Sequence, residues 1–481
     1  MDRFDMVCSH LLTNSEVNKI HGYSLKILEE IGVEIEDEEL TDKLVERGCK
    51  ISDDRVKFPR ELVLEILEEV ENGPLIIKNS NTGIECNLES YELQSQPFGT
   101  VSHIYEEENN DTVQAEKDDL IDFIRLQNGL ENIDFSGPMV LPQDIPADIK
   151  EIKMCELALR YSKIPFSGLA VSSSKQIDYV LELFRIARGN QEEPIGSLSI
   201  SPESPLSYPR HISDILKKVA GEGIPVKVLI APVAGLTAPF TVAGSLTQMN
   251  ASMLAFTTIA QIINPEVPLI FGSRISFPNM KSAQSIWGLP EIGLGSTGAV
   301  QLARYYGFYT SVYGASTTAC NIDVQNGYEK AINALLPALA GANIISGAGS
   351  IASNTLASRE QLVIDDEIIT IVKRIQERYD VSGDSMGFEV IADHIEDGGF
   401  IADEHTVNYL NAGEVYNPNL GFDRMWHEWK AQGFPRITEK ARQKISEILE
   451  EPAESVLDKE QEKEFHKVVD KARQKILPDS A

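Results

Sequence analysis

The sequence predicts a (β/α)8 barrel with an N-terminal α+β extension and a C-terminal helical tail. From about residue 116, short apolar runs alternate with amphipathic stretches every 25 to 40 residues or so, the rhythm of βα units. The runs are continuously apolar and carry small residues, as strands buried on both faces do. No GxGxxG stands at a first strand-to-helix turn, and the rhythm runs through seven strands, which favours a barrel over a doubly wound sheet. The expected divisions are 1–115 for the extension, 116–400 for the barrel and 401–481 for the tail.

The extension opens with "TNSEVNKIHGYSLKILEEIGVEI", an amphipathic helix that Thr13, Asn14 or Ser15 can cap. Ile20, Leu25, Ile27, Leu28 and Ile31 form its apolar face. "ELTDKLVERGCKI" and "PRELVLEILEEVENG" are two further helices, the second entered through proline and left through glycine. "PLIIKNSNTGIECNLESY" is a hairpin turning on "NSNTG". The predicted barrel strands are 133–140, 164–171, 195–201, 226–231, 268–273, 309–315 and 342–349, and an eighth is expected in or near "MGFEVIADHI", 386–395. "WHEWKAQGFPRITEKARQKISEILEE" and "LDKEQEKEFHKVVDKARQKIL" make the charged helices of the tail.

Composition narrows the partners. A net charge of −31 over 481 residues argues against nucleic acid, which needs a basic face. The acidity serves solubility or, alternatively, a specific basic partner. The five cysteines, Cys8, Cys49, Cys86, Cys155 and Cys320, form no CxxC pair and read as reduced thiols of a cytoplasmic protein. No basic-then-apolar leader opens the chain and no run of eighteen apolar residues occurs, so neither secretion nor a membrane span is expected. Chains of this size and type are commonly symmetric homo-oligomers.

A barrel site is built from the loops that follow its strands. Here these are "SPESPLSYP", "PVAGLTAPF", "SRISFPNMKSAQSIW", "ASTTACNIDVQ" and "SGAGSIASNTLAS". They are rich in Ser, Thr, Gly and Pro and nearly free of His and Cys. A catalytic zinc usually takes two His close in sequence among its ligands, and the strands carry no HxH. His394 and His405 stand near each other, as a ligand pair or in structural roles. Cys320 is a nucleophile or a packing residue. Gly347 and Gly349 offer backbone N–H groups to a ligand or, alternatively, let strand and helix pack closely; no Lys or Arg precedes Arg359 in that stretch to neutralise a phosphate. The aromatics Tyr208, Phe240, Phe277, Trp287 and Tyr313 are core residues or, together, a cage for an apolar cation.

One long segment goes further. "DVQNGYEKAINALLPALAGANIISGAGSIASNTLASREQLVIDDEI" resembles the corresponding part of the trimethylamine methyltransferase superfamily. "GGFIADEHTVNYL", "WHEWKAQGFPRITEKARQKISEIL" and "DLIDFIRLQNGLENIDF" share the resemblance, which spans most of the chain. Archetypal members carry pyrrolysine in the barrel. This sequence has standard residues throughout, with the departure expected in "GASTTACNID". The resemblance therefore implies the non-pyrrolysine branch, whose members demethylate quaternary amines such as glycine betaine, proline betaine or carnitine. The methyl goes to Co(I) of a cognate corrinoid protein, with no cofactor tightly bound to the enzyme itself. On that reading Tyr208, Phe277, Trp287 and Tyr313 form the cage, and Arg274 receives a betaine carboxylate or, alternatively, forms a rim salt bridge. Asp323 and Gln325 of "DxQ" position the loop or touch the ammonium, and Glu203 is its counter-charge or a solvated residue. The competing readings are a metal-dependent barrel hydrolase or lyase, and a barrel that binds a betaine without transferring anything.

Overall fold

The computed structural model describes residues 10–477 apart from 71, 72, 91, 378 and 397. Cys8 lies outside the described residues. Seven parallel strands form the central sheet: β1 (Gln94–Pro97), β2 (Phe166–Ala170), β3 (Gly196–Ile200), β4 (Val226–Ile230), β5 (Leu269–Ser273), β6 (Tyr309–Tyr313) and β7 (Ile344–Ala348). The order is β1-β7-β6-β5-β4-β3-β2, so the sequence-first strand pairs with the last and the sheet curls towards closure.

The gap between β1 and β2 is filled by 133–137. Asp134 and Phe135 amides donate to the Ser95 carbonyl, while Ser136 and Phe166 form an isolated parallel bridge. The predicted strand at 133–140 is thus an irregular stave. Gln127 imposes that irregularity, its amide group bonding Ser136 Oγ and both the N–H and the carbonyl of Gly137.

The eighth strand is β1, inside the segment expected as extension, and not 386–395, which contains the helix Phe388–His394. β1 reads "QSQP" because its environment is polar. Gln96 reaches Lys227 in the barrel interior, and the Ser95 amide donates to Asp134 at 2.6 Å. An apolar run is therefore not required there.

The barrel helices bury one face each. Ile177–Arg188 buries Val180, Leu181, Leu183, Phe184 and Ala187 at helical spacing, and Arg210–Gly221 buries Ile212, Ile215, Leu216 and Val219. The helix Val242–Ile263 is covered on both sides. The N-terminal helix Asn14–Glu30 packs over it, and the Ser24 hydroxyl donates to Thr247 O at 2.9 Å. Thr13 and Glu16 close a capping box at the start of that N-terminal helix.

Of the candidate caps, Thr13 is the one used. The hairpin Ile76–Lys78 with Glu85–Asn87 seals the barrel floor. Leu75, Ile77, Cys86 and Leu88 pack there against Phe135, Ile270 and Ile344. The tail helices lie against the outside. Ile437–Glu450 packs on Arg359–Gln376 and Lys117–Gly129, and Lys459–Ile476 seats Phe465, Val468 and Ala472 on the Ile177–Arg188 side.

Candidate active site

The strand ends converge on an aromatic and cationic cluster. Arg274 follows β5 directly and is 6% exposed. Its Nη1 donates to the carbonyls of Ser273 and Ser311, both at 2.8 Å, and its guanidinium carbon lies 4.3 Å from the Tyr313 ring centroid. Burial holds the Arg274 pKa below its ordinary value, partly offset by Tyr313. Burial raises the Tyr313 phenol, again offset by Arg274. Among the described residues no carboxylate forms a salt bridge to Arg274. Of the two expected roles, a rim salt bridge is therefore absent there.

Trp287 stands 4.8 Å from the Tyr313 ring, inclined by 58°, and Phe98 stacks on Tyr313 at 6.3 Å. Trp287 comes from the long loop after β5, and that loop is clamped to the one after β6. Ser316 Oγ donates to Trp287 O and the Gly288 amide donates to Thr318 Oγ1, each at 2.8 Å. Glu329, 8% exposed, secures this second loop by accepting from Thr317 Oγ1 at 2.6 Å and the Thr318 amide at 2.7 Å. Glycine is required at 288 because a Cβ would run into the Glu329 carboxylate.

The next residue, Lys330, ties the sixth and seventh loops. Its ammonium donates to Ala315 O at 2.7 Å, Gly347 O at 3.4 Å and Asp365 Oδ2 at 2.8 Å. Both Lys330 and Asp365 are fully buried. Burial pulls the lysine pKa down and the aspartate up, and their mutual attraction opposes both shifts.

Under the mouth a third buried cation lines the barrel. Lys227 on β4 donates to Gln96 Oε1 and to Ser167 Oγ, the latter at 2.6 Å, and Ser167 in turn meets Ser197 at 3.1 Å. Burial and the nearby Arg274 charge both push the Lys227 pKa well down.

The remaining predicted residues fall into distinct places. Trp287, Tyr313 and Arg274 come together. Phe277 is buried one layer out, edge-to-face with the exposed Phe240 at 6.4 Å. Tyr208, expected in the cage, lies outside the barrel instead. Its strand pairs with Glu34–Ile35, and its hydroxyl donates to Ser252 O at 2.8 Å beneath the helix Val242–Ile263. The apolar seam between extension and barrel has claimed that ring.

Glu203 is exposed on a turn whose backbone bonds to Ser207. Asp323 caps the helix Val324–Leu339 by accepting from the Asn326 amide, and Gln325 donates to Glu329 Oε1 at 2.8 Å. "DxQ" thus shapes the helix start.

Gly347, at φ +118°, would place a Cβ 2.8 Å from Ala315 O. Gly349, at φ +82°, gives its amide to Asp365 at 2.7 Å, and its Cβ would strike Met139. Close packing accounts for both glycines. His394 pairs with Asp403 at 2.9 Å rather than with His405, and Cys320 is exposed. Among the described residues no three of His, Cys, Asp or Glu converge to hold a metal.

Phe98, Lys227, Glu329, Lys330 and Asp365 escape the loop inventory. Lysine within the apolar run "VKVLIA" and the charged pair within "GYEKAINALLPAL" are the visible signals for three of them.

A nearly closed parallel barrel whose mouth joins a buried guanidinium to an aromatic pair is equipped to take a small organic ion. Residues 5–477 match the family described as trimethylamine methyltransferase (MTTB), and the chain belongs to that family and is a methyltransferase. Trimethylamine methyltransferase MttB of Methanosarcina barkeri is 29% identical over 96% of this chain and 95% of its own length. MttB1 of Methanosarcina acetivorans is 30% identical over 96% and 95%. The glycine betaine methyltransferase of Desulfitobacterium hafniense is 29% identical over 94% of each. Among solved structures, a hydroxylamine complex of MtmB superposes with a TM-score of 0.53 at 9% identity, covering 99% of this chain and 91% of that one; it is a likeness of fold.

Proposed function

We propose that this methyltransferase demethylates a quaternary amine that also carries a carboxylate, and that the acceptor is the reduced cobalt of a corrinoid held by a separate protein. The observation that carries the reading is Arg274: a buried cation with no carboxylate paired to it among the described residues, lying on Tyr313 beside Trp287. A guanidinium in that position attracts a carboxylate inward and forks onto its oxygens. The ammonium end of the same molecule then faces outward beside the Trp287 and Tyr313 rings, where aromatic faces favour a cation. Trimethylamine has no carboxylate to offer Arg274, and the relatives include a glycine betaine methyltransferase.

The chemistry asks for this kind of site. In a quaternary ammonium the nitrogen is already a good leaving group, so no residue has to protonate it. The C–N bond breaks with its electron pair on nitrogen, giving a tertiary amine, while the reduced corrinoid supplies the pair that takes the methyl. Charge is neutralised along the way, so a dry aromatic surround favours the reaction as well as binding. Holding the N–CH3 bond in line is an orientation effect of up to about 7–11 kcal/mol in favourable models. Arg274, Trp287 and Tyr313 do that holding, and Glu329, Lys330 and Asp365 keep their loops in place. We also assign the protein to the cytoplasm, supported by free thiols at Cys49, Cys86, Cys155 and Cys320. Among the described residues no helix is long and apolar enough to cross a membrane.

The test mixes the protein with a corrinoid protein reduced to Co(I) and a panel of glycine betaine, proline betaine, carnitine, tetramethylammonium and trimethylamine. The expected result is methylated-corrinoid absorption with one carboxylate-bearing quaternary amine and little with the last two. Methylation by trimethylamine alone contradicts the substrate, and tight betaine binding without transfer contradicts the reaction.

A further inference from the structure

A fully buried lysine is costly unless something answers its charge, and Lys227 on β4 is 0% exposed. Among the described residues no carboxylate pairs with it. Gln96 Oε1 and Ser167 Oγ accept two of its three N–H groups, and the third has no acceptor there. These contacts hold the ammonium inside the barrel. With 133–137 as a stave, Gln96, Ser167 and Lys227 come from alternate staves, the arrangement that fills one layer of an eight-stave barrel.

That layer lies close beneath the mouth. Phe98, two residues along from Gln96, stacks on Tyr313, whose ring also carries Arg274. Leu229, two residues beyond Lys227 and on the same face, is only half-buried, so the mouth opens to within one pleat of the lysine. Beside Lys227, its ladder partner Ser199 is 1% exposed, and the Ser199 hydroxyl has no hydrogen-bond partner among the described residues. Paired residues of a parallel ladder share a face, so this hydroxyl also turns into the barrel. Arg274 and Lys227 are thus two buried cations without a carboxylate, with a spare hydroxyl alongside. Burial and the Arg274 charge both push the Lys227 pKa down, and a carboxylate held near both cations offsets each effect.

We infer that Lys227 is the inner half of a two-cation receptor for the substrate's carboxylate. The group enters past Tyr313, forks onto Arg274, and accepts the spare N–H of Lys227 and the hydroxyl of Ser199. The inference rests on the carboxylate-bearing quaternary amine proposed above. Lys227 and Ser199 then select for the carboxylate, while the ammonium end stays with the rings at the mouth.

Isothermal titration of the full-length chain tests this with glycine betaine, proline betaine and carnitine, each against its carboxamide. The carboxamides keep the ammonium and lose the negative charge. The wild type should prefer one of the carboxylates. Lys227→Met should weaken that ligand about 10-fold or more, the scale of a hydrogen bond to a charged group, with little change for its carboxamide. Lys227→Gln keeps a donor for Gln96 and Ser167, guarding against loss of the fold, and should show the same selective loss. Ser199→Ala removes a hydroxyl without a partner and should lower the same preference. A lysine that only braces β1, β2 and β4 predicts a lower melting temperature with the preference intact. That intact preference, in either Lys227 variant or in Ser199→Ala, overturns the inference alone. A wild type that prefers none of the carboxylates removes the proposed substrate as well.

Discussion

Arg274 sits where burial would ordinarily forbid a lone charge, and two backbone carbonyls with the Tyr313 ring make it tolerable. A hydrogen bond to a charged group contributes about 1.5–3 kcal/mol, so Arg274→Gln should raise KM for a betaine roughly 10- to 100-fold. Binding of tetramethylammonium, which has no carboxylate, should not weaken, and binding titrations with the two ligands distinguish the cases. Trp287→Ala and Tyr313→Ala should each lower betaine turnover with folding intact; unchanged turnover in both removes them from the cage. A different residue reports on pH. Burial pushes the Asp366 carboxyl up to about 6, only partly offset by the Asn132 amide that it accepts. The folded state then binds the proton more tightly than the unfolded one, so this group's contribution to stability falls as pH rises from about 4 through 6. Asp366→Asn keeps an acceptor for Asn132 and should stabilise the protein at pH 7 by up to about 3 kcal/mol. The gain should vanish near pH 4, as thermal melts at the two pH values would show.

The helix Val324–Leu339 organises the mouth through two consecutive residues, Glu329 towards the β5 and β6 loops and Lys330 towards those after β6 and β7. Removing one partner of a buried ion pair typically costs about 3–5 kcal/mol, so Lys330→Met should lower the melting temperature sharply. Lys330→Met with Asp365→Leu should recover much of that loss. Such a buried pair is hard to foresee, because Lys330 and Asp365 are separated by β7 and each reads alone as a solvated charge. Strands β2 to β7 were legible, since burial on both faces leaves an unbroken apolar run. β1 was not, because "QSQP" gives Gln96 to Lys227 and the Ser95 amide to Asp134. The run "MGFEVIADHI" carries strand-like residues, yet Gly387 in the left-handed region starts a short helix there.

Taken whole, the barrel is assembled from both sides of the sequence: β1 closes it on β7, the hairpin Ile76–Lys78 with Glu85–Asn87 seals its floor, and the tail helices brace its flank. The repeat of βα units made that architecture readable, and the loop sequences drew Trp287, Tyr313 and Arg274 into one group. Tyr208 and Glu203 shared the same loop, and the packing of the extension against Val242–Ile263 takes Tyr208 away from the mouth, while Glu203 stays exposed on its turn. On the function proposed above, a methyl leaves a carboxylate-bearing quaternary amine for a corrinoid. A reaction with methyl-13C-labelled betaine, followed by NMR in the presence of a Co(I) corrinoid protein, tests it directly. One tertiary amine should form for each label found on the corrinoid. Label that stays on the betaine, or tertiary amine formed without label on the corrinoid, would contradict it.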